Sequence, residues 1–258
     1  MSDRLSRENL QVAVFALLVA ATMAAFVITQ RLKGAPPPIE RVYYPAWISP
    51  NGDGLKDAVT LRFRLPKPGE ATVALVDAAE VPVRTFARDA PLAAGRHAYP
   101  WDGRADGGAV APEGVYRLRV ILSSEGRTLT ALNGLTLDLS PPRPEIVAVT
   151  PRTLFAGGPP RRTRARIRFR GPSDPAPRFD VHRVDPGRRP VPVGRFLGRR
   201  FREIALWDGR LGGRPARTGT YAFRLTVRDR AGNPGSVFAP QELVTVRSGR
   251  GRTRPRGG

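Results

Sequence analysis

Residues 101–120 read WDGRADGGAVAPEGVYRLRV, and residues 207–227 read WDGRLGGRPARTGTYAFRLTV. Each copy runs Trp-Asp-Gly-Arg, a Gly-Gly pair, then Gly-x-Tyr opening an alternating segment. The two Trp stand 106 residues apart. A period of that size matches one β-sandwich domain. A chain of 258 residues with this duplication holds two tandem copies of one small fold.

The alternation in both copies is that of half-buried strands. Val59, Leu61, Phe63 and Leu65 fall on one face, with Thr60, Arg62 and Arg64 on the other. Tyr116, Leu118, Val120 and Leu122 form a second inward set. In the second copy Ala165, Ile167 and Phe169 alternate with Arg164, Arg166, Arg168 and Arg170. Tyr221, Phe223, Leu225 and Val227 alternate with Arg224, Thr226 and Arg228. Period two with one wet face predicts antiparallel sheets packed on one side. Gly and Pro, 27 each and spread along the chain, suit many short strands joined by turns. About seven strands per copy are expected, and no useful amphipathic helix after residue 40. SPPRP, Ser140–Pro144, marks the domain boundary, because consecutive prolines cannot continue a central strand.

Before the repeats lies LQVAVFALLVAATMAAFVI, Leu10–Ile28, which carries no charge. Its 19 residues span about 28 Å as a helix, close to the ~30 Å hydrocarbon core of a bilayer. The run is longer than a signal-peptide core of about 7–15 residues. Lys33 also stands where a cleavage site would need a small residue. An uncleaved, single-pass signal anchor is expected. Arg4 and Arg7 before it balance Arg31 and Lys33 after it, so charge leaves the orientation open.

SPNGDGLKD, Ser49–Asp57, precedes an alternating strand. With the WDG turn and the late GxY, in that order, it resembles the bacterial Ig-like domain of the flagellar hook-capping protein. The second copy keeps WDG and GxY, has TPRTLFAGG at Thr150–Gly158 in place of SPNGDG, and adds RDRAGN at Arg228–Asn233. The resemblance implies exported, non-catalytic spacer or adhesion modules. It therefore implies that the domains lie outside the membrane. The expected fold class is all-β, two tandem Ig-like antiparallel β-sandwiches after one N-terminal transmembrane helix. The plan is a short cytoplasmic N-terminus (1–9), the anchor (10–29), a Pro-rich spacer (30–39), sandwich 1 (40–139), sandwich 2 (144–248) and a basic disordered tail (249–258).

SPNGDGLKD can also be read as a cation loop. Asn51, Asp53 and Asp57 could offer oxygens to Ca²⁺, but an EF-hand frame places Lys56 at its required Gly. Asn-Gly and Asp-Gly are also the dipeptides of tight turns, and that reading is preferred, with no cofactor expected. Trp101 and Trp207 are expected to cover the sandwich cores; exposed sugar-stacking rings are the alternative. No Cys is present, and His97 and His182, both expected on outward faces, stand in different domains. No GxSxG, HExxH or phosphate loop occurs, so no enzyme is expected.

Charge is divided unequally. Residues 1–139 carry 16 basic and 14 acidic side chains, net +2; residues 140–258 carry 27 and 8, net +19. Arg outnumbers Lys 40 to 3, a compositional bias that accounts for part of this excess. Arg164, Arg166, Arg168 and Arg170 on one strand face, with Arg250, Arg252, Arg254 and Arg256 in the tail, make a candidate anion-binding surface. Anionic wall polymer or lipid headgroups are the expected partners, and nucleic acid is not. The leading expectation is a membrane-anchored binding or spacer protein of the cell envelope. The alternatives are an assembly factor for a surface structure, by analogy with hook capping, and a cytoplasm-facing nucleic-acid-binding protein.

Overall fold

The structure, a computed structural model, describes residues 2–33, 39–156 and 163–248, with the side chains of the first segment described from 13 to 29 and those of Ala156 and Ser248 left out. The first segment is one helix, α1 (Ser2–Lys33). Every described side chain on it is exposed, Phe15, Leu17, Leu18, Met23, Phe26 and Ile28 among them. Among the described residues no helix is long and apolar enough to cross a membrane. The described side chains of α1 cover 17 residues, and the expected span begins before them, at residue 10.

The first domain contains β1 (Glu40–Tyr43), β2 (Trp47–Ile48), β3 (Val59–Leu65), β4 (Gly69–Val76), β5 (Pro82–Leu92), β6 (Gly95–Trp101), β7 (Gly114–Leu122), β8 (Arg127–Thr130) and β9 (Leu135–Leu137). The second contains β10 (Glu145–Thr150), β11 (Thr153–Ala156), β12 (Ala165–Arg170), β13 (Arg178–Arg183), β14 (Val191–Leu197), β15 (Ile204–Trp207), β16 (Arg210–Leu211), β17 (Arg214–Pro215), β18 (Gly219–Arg228) and β19 (Pro234–Ser248).

The two domains share one topology. A three-stranded sheet, β1-β3-β6, recurs as β10-β12-β15. The larger sheet, β2-β9-β7-β4-β5 with β8 on β7, recurs as β11-β19-β18-β13-β14. The duplication read in the sequence is thus a duplication of architecture, and both copies are all-β sandwiches.

The sheets are not wholly antiparallel as expected. β2 pairs parallel to β9, and β11 pairs parallel to β19. The chain begins each domain on the smaller sheet, then crosses to the edge of the larger one beside its last strand. A proline stands at each crossing, Pro45 and Pro151. Proline has no N–H for a ladder, so pairing stops there and resumes on the other sheet.

The cores follow the alternation. Val59, Leu61, Phe63 and Leu65 are buried beneath an outer face with Arg62 and Arg64 exposed. Ala165, Ile167 and Phe169 are buried while Arg166, Arg168 and Arg170 are exposed. Each large side chain so buried contributes about 1.5–3 kcal/mol.

The two histidines depart from expectation. His97 has the same parity as buried Trp101 and stacks on Phe63 at 5.4 Å, so it lines the rim of the core. His182 is buried and meets Phe238 edge-on at 5.1 Å. β13 lies between β14 and β18 in the interior of its sheet, and the long β19 brings Phe238 across it.

Candidate functional site: repeated corners, an interdomain clasp and an arginine face

The repeated motif is a structural corner, built identically twice. The buried Trp101 and Trp207 donate their indole N–H to the carbonyls of Arg104 (2.8 Å) and Arg210 (3.0 Å). Asp102 and Asp208 accept the amide N–H of Arg104 and Arg210 at 3.1 and 3.0 Å. Gly103 and Gly209 between them have φ of 80° and 71°, a conformation that favours Gly. The guanidinium groups of Arg104 and Arg210 close the turn onto the carbonyls of Gly108 and Gly213, both at 2.7 Å.

The Gly-x-Tyr element completes the corner. The Tyr116 hydroxyl donates to the Pro112 carbonyl at 2.5 Å, and that of Tyr221 to the Arg217 carbonyl at 2.7 Å. A Tyr reaching back to upstream backbone is a recurrent lock in Ig-like sandwiches. Burial raises both hydroxyls above their ordinary 10.0, which keeps them protonated donors. Each ring also packs against its Trp, at 5.3 and 5.4 Å. The Trp are therefore interior, and the sugar-stacking alternative is overturned.

SPNGDGLKD is a tight loop with an unexpected partner. Gly52, Gly54 and Lys56 have φ of 79°, 82° and 58°. Asp57 accepts the amides of Gly52 and Gly54, both at 2.7 Å. Asn51 Oδ1 accepts the Asp53 amide at 3.0 Å, and Asp53 Oδ1 accepts the Leu55 amide at 2.9 Å. Backbone donors thus fold the oxygens of Asn51, Asp53 and Asp57 into the loop. Among the described residues no group of three or more His, Cys, Asp and Glu could hold a metal ion.

The other side of that loop meets domain 2 at the turn Arg228–Asn233. Asn233 is 1% exposed and Ser49 is fully buried. Asn233 Oδ1 accepts from Ser49 Oγ and from Asn51 Nδ2 (3.1 Å); its Nδ2 donates to the Asp138 carbonyl (2.9 Å) and to Asp229 Oδ2 (3.1 Å). Both donors and both acceptor positions of this amide are used. Arg228 reaches Asp53 Oδ2 at 2.8 Å, and Lys56 Nζ donates to the Arg230 carbonyl. The Arg228 hydrogen bond, seconded by the Leu55 amide, lowers the Asp53 carboxyl below its ordinary 3.8. Of the three candidate metal ligands, Asn51 and Asp53 therefore take part in a clasp between domains, and Asp57 holds the loop itself. Both motifs stand out in the sequence, but nothing in it pairs Ser49 with Asn233 or Asp53 with Arg228.

The arginine face is present in part. Arg164, Arg166, Arg168 and Arg170 are exposed along β12 and the residue before it. Arg170 is paired with Glu145 at 3.0 Å. Arg166 and Arg168 make no ion pair among the described residues. Arg250, Arg252, Arg254 and Arg256 lie outside the described residues. Sequence reading missed the apolar neighbours. Across the ladder Arg166 faces Leu206 and Arg168 faces Ile204, which are 51% and 41% exposed. The parity of Trp207, inward, already placed Leu206 outward.

The corners and the loop coincide with a known family. Residues 49–126 match the family model described as the FlgD Ig-like domain. This stretch of domain 1 is similar to the Ig-like domain of the flagellar hook-capping type. The match opens at Ser49, the first residue of the clasp loop, and takes in the WDG turn and Tyr116. Domain 2 lies outside the match; it repeats the topology of domain 1 without the SPNGDG element. No curated protein matches the chain. Among solved structures, dimeric latent PorU from Porphyromonas gingivalis aligns at 12% identity and a TM-score of 0.28, over 83% of this chain and 20% of that one. This chain thus spans a fifth of the length of PorU. Domains 5–6 of the S-layer protein SbsC align at 8% identity and a TM-score of 0.24, over 82% and 99% of the two chains. At TM-scores this low neither likeness says more of this chain than the family match to residues 49–126 does.

Proposed function

We propose that this protein is a membrane-anchored, extracytoplasmic and non-catalytic binding or spacer protein of the bacterial envelope. α1 anchors it, domain 1 and domain 2 form the exported part, and the cationic face of domain 2 meets an anionic surface. The observation that carries the reading is the pairing of an uncharged run, Leu10–Ile28, with a helix whose described side chains are all exposed. An apolar helix whose described side chains are exposed needs an apolar solvent, and a bilayer provides one.

The non-catalytic reading draws support from what the motif residues already do. The Trp, Asp, Arg and Tyr of both corners are engaged in backbone hydrogen bonds, and the polar groups of SPNGDG in the clasp. Groups held in this way stabilise the fold instead of attacking a substrate.

Carbonate extraction of membranes, with a C-terminal alkaline phosphatase fusion, tests the reading. The chain should stay in the pellet and the phosphatase should be active. Release by carbonate, or an inactive phosphatase beside a fluorescent C-terminal GFP fusion, would overturn it. A second reading, an assembly factor for a surface polymer, draws on the hook-capping-type match of domain 1. It predicts that crosslinking in intact cells captures one polymer subunit through domain 1.

A further inference from the structure

We propose that the outer face of the β10-β12-β15 sheet docks on an anionic lipid surface, with Arg166 and Arg168 on the headgroups and Ile204 and Leu206 among the upper acyl chains. This rests on the cationic-face reading above and commits it to one kind of surface.

β15 is an edge strand, whose one ladder among the described residues is with β12, and it pairs Ile204 with Arg168 and Leu206 with Arg166. Directly opposed residues project to the same side of a sheet. Each exposed guanidinium therefore stands beside an exposed branched apolar side chain, twice in succession. The segment leading into β15 continues the composition. Phe201 is 70% exposed with Arg200 at 5.1 Å over its ring, and Arg202 follows. Arg200 is held by Asp174 at 2.5 Å, so it adds little net charge, whereas Arg202 makes no ion pair among the described residues.

The chemistry separates the candidate surfaces. A wall polymer of glycerol phosphate is hydrophilic throughout. It would satisfy the arginines and leave Ile204, Leu206 and Phe201 in water. A lipid bilayer with acidic headgroups offers phosphate at the depth of the guanidinium groups and hydrocarbon just beneath. Basic residues beside apolar ones on one face are the composition that lies in that interface. Arg suits the phosphates in particular, since its planar fork donates two hydrogen bonds at once.

The test uses the full chain, inserted through its helix into nanodiscs of phosphatidylcholine. Protein-free vesicles of phosphatidylcholine, with or without phosphatidylglycerol, are then added. Flotation with the anionic vesicles alone is expected, with slowed amide exchange over residues 201–207. Arg166→Gln with Arg168→Gln should weaken binding roughly thirty-fold, about five-fold for each charge. Ile204→Ser with Leu206→Ser should weaken it about tenfold and leave the remainder fully salt-sensitive. Those side chains are half exposed, so the buried Ala205 and Trp207 keep the strand in place. Phe201→Ser, outside the strand, is a second apolar variant, expected to act in the same direction. Soluble poly(glycerol phosphate) should protect β12 but not residues 201–207. Absence of anionic-vesicle binding, indifference to both apolar variants, or equal protection by the polymer would each overturn the proposal. If the chain does not enter nanodiscs the anchor reading fails by itself, and the same flotation on the free chain still decides the lipid question.

Discussion

Ser49 Oγ hydrogen-bonds to Asn233 Oδ1 across 184 positions of sequence, and both residues are buried. One belongs to the first sandwich and the other to the second. The bond sits at the centre of the only stretch where SPNGDG of domain 1 and RDRAGN of domain 2 share hydrogen bonds among the described residues. The linker packs beside it, since Gly235 lies against the Pro142 carbonyl.

Replacing Asn233 with Ala should remove four hydrogen bonds and strand buried groups on Ser49 and Asp138. A loss of about 2–4 kcal/mol is expected, because unpaired buried groups each cost about 1–3 kcal/mol. The melting temperature of the full chain in detergent should fall by roughly 5–10 °C. Ser49→Ala, which removes one of these bonds, should cost less. Equal stability of Asn233→Ala and the parent protein would show that the domains do not clasp.

The clasp should loosen in acid. Asp53 titrates below its ordinary 3.8 because Arg228 stabilises its charged form. A depressed carboxyl contributes stability that is present above the unfolded value and disappears as pH falls through the folded one. The Asp53 carboxyl, followed by NMR, should move back up towards 3.8 in Arg228→Gln. No movement would mean that the pair does not form in solution.

Added Ca²⁺ should leave the melting temperature of the parent protein unchanged. Asp57 already accepts two amides, and Asp53 is divided between Leu55 and Arg228. A ligand bound only to the folded state would raise the midpoint by mass action. A rise of several degrees that Asp53→Ala abolishes would restore Asn51, Asp53 and Asp57 as ligands.

Two glycines should respond for different reasons. A Cβ on Gly235 would lie 1.9 Å from the Pro142 carbonyl oxygen, so Gly235→Ala must displace the linker. A cost above about 2 kcal/mol is expected. Gly52 has open space but a φ of +79°, so Gly52→Ala should cost only about 1 kcal/mol of backbone strain. Chemical denaturation of both variants checks the order.

The corner tyrosines should behave alike and independently. Tyr116→Phe and Tyr221→Phe each remove one hydrogen bond to backbone while keeping the ring, for about 1 kcal/mol each. The sites lie in different cores, so the double variant should lose the sum. Strong non-additivity in denaturation would indicate a single shared core.

Much of this was legible in the chain itself. Tandem copies of one fold, the inward sets of β3, β7, β12 and β18, and the outward arginines follow from period two, because successive side chains in a strand must alternate. The corners were legible as motifs because every side-chain hydrogen bond described in them closes within four residues. Two assignments needed the third dimension for a plain reason. His182 looked outward until β19 laid Phe238 against it, and a strand's second face is wet or dry according to what packs there. SPNGDG looked like an isolated turn, or a cation loop, because its partner lies more than 170 residues away. Periodicity reports which way a side chain points; only the packed chain decides what it meets, since distant segments come together through the burial of both cores and not through any local rule.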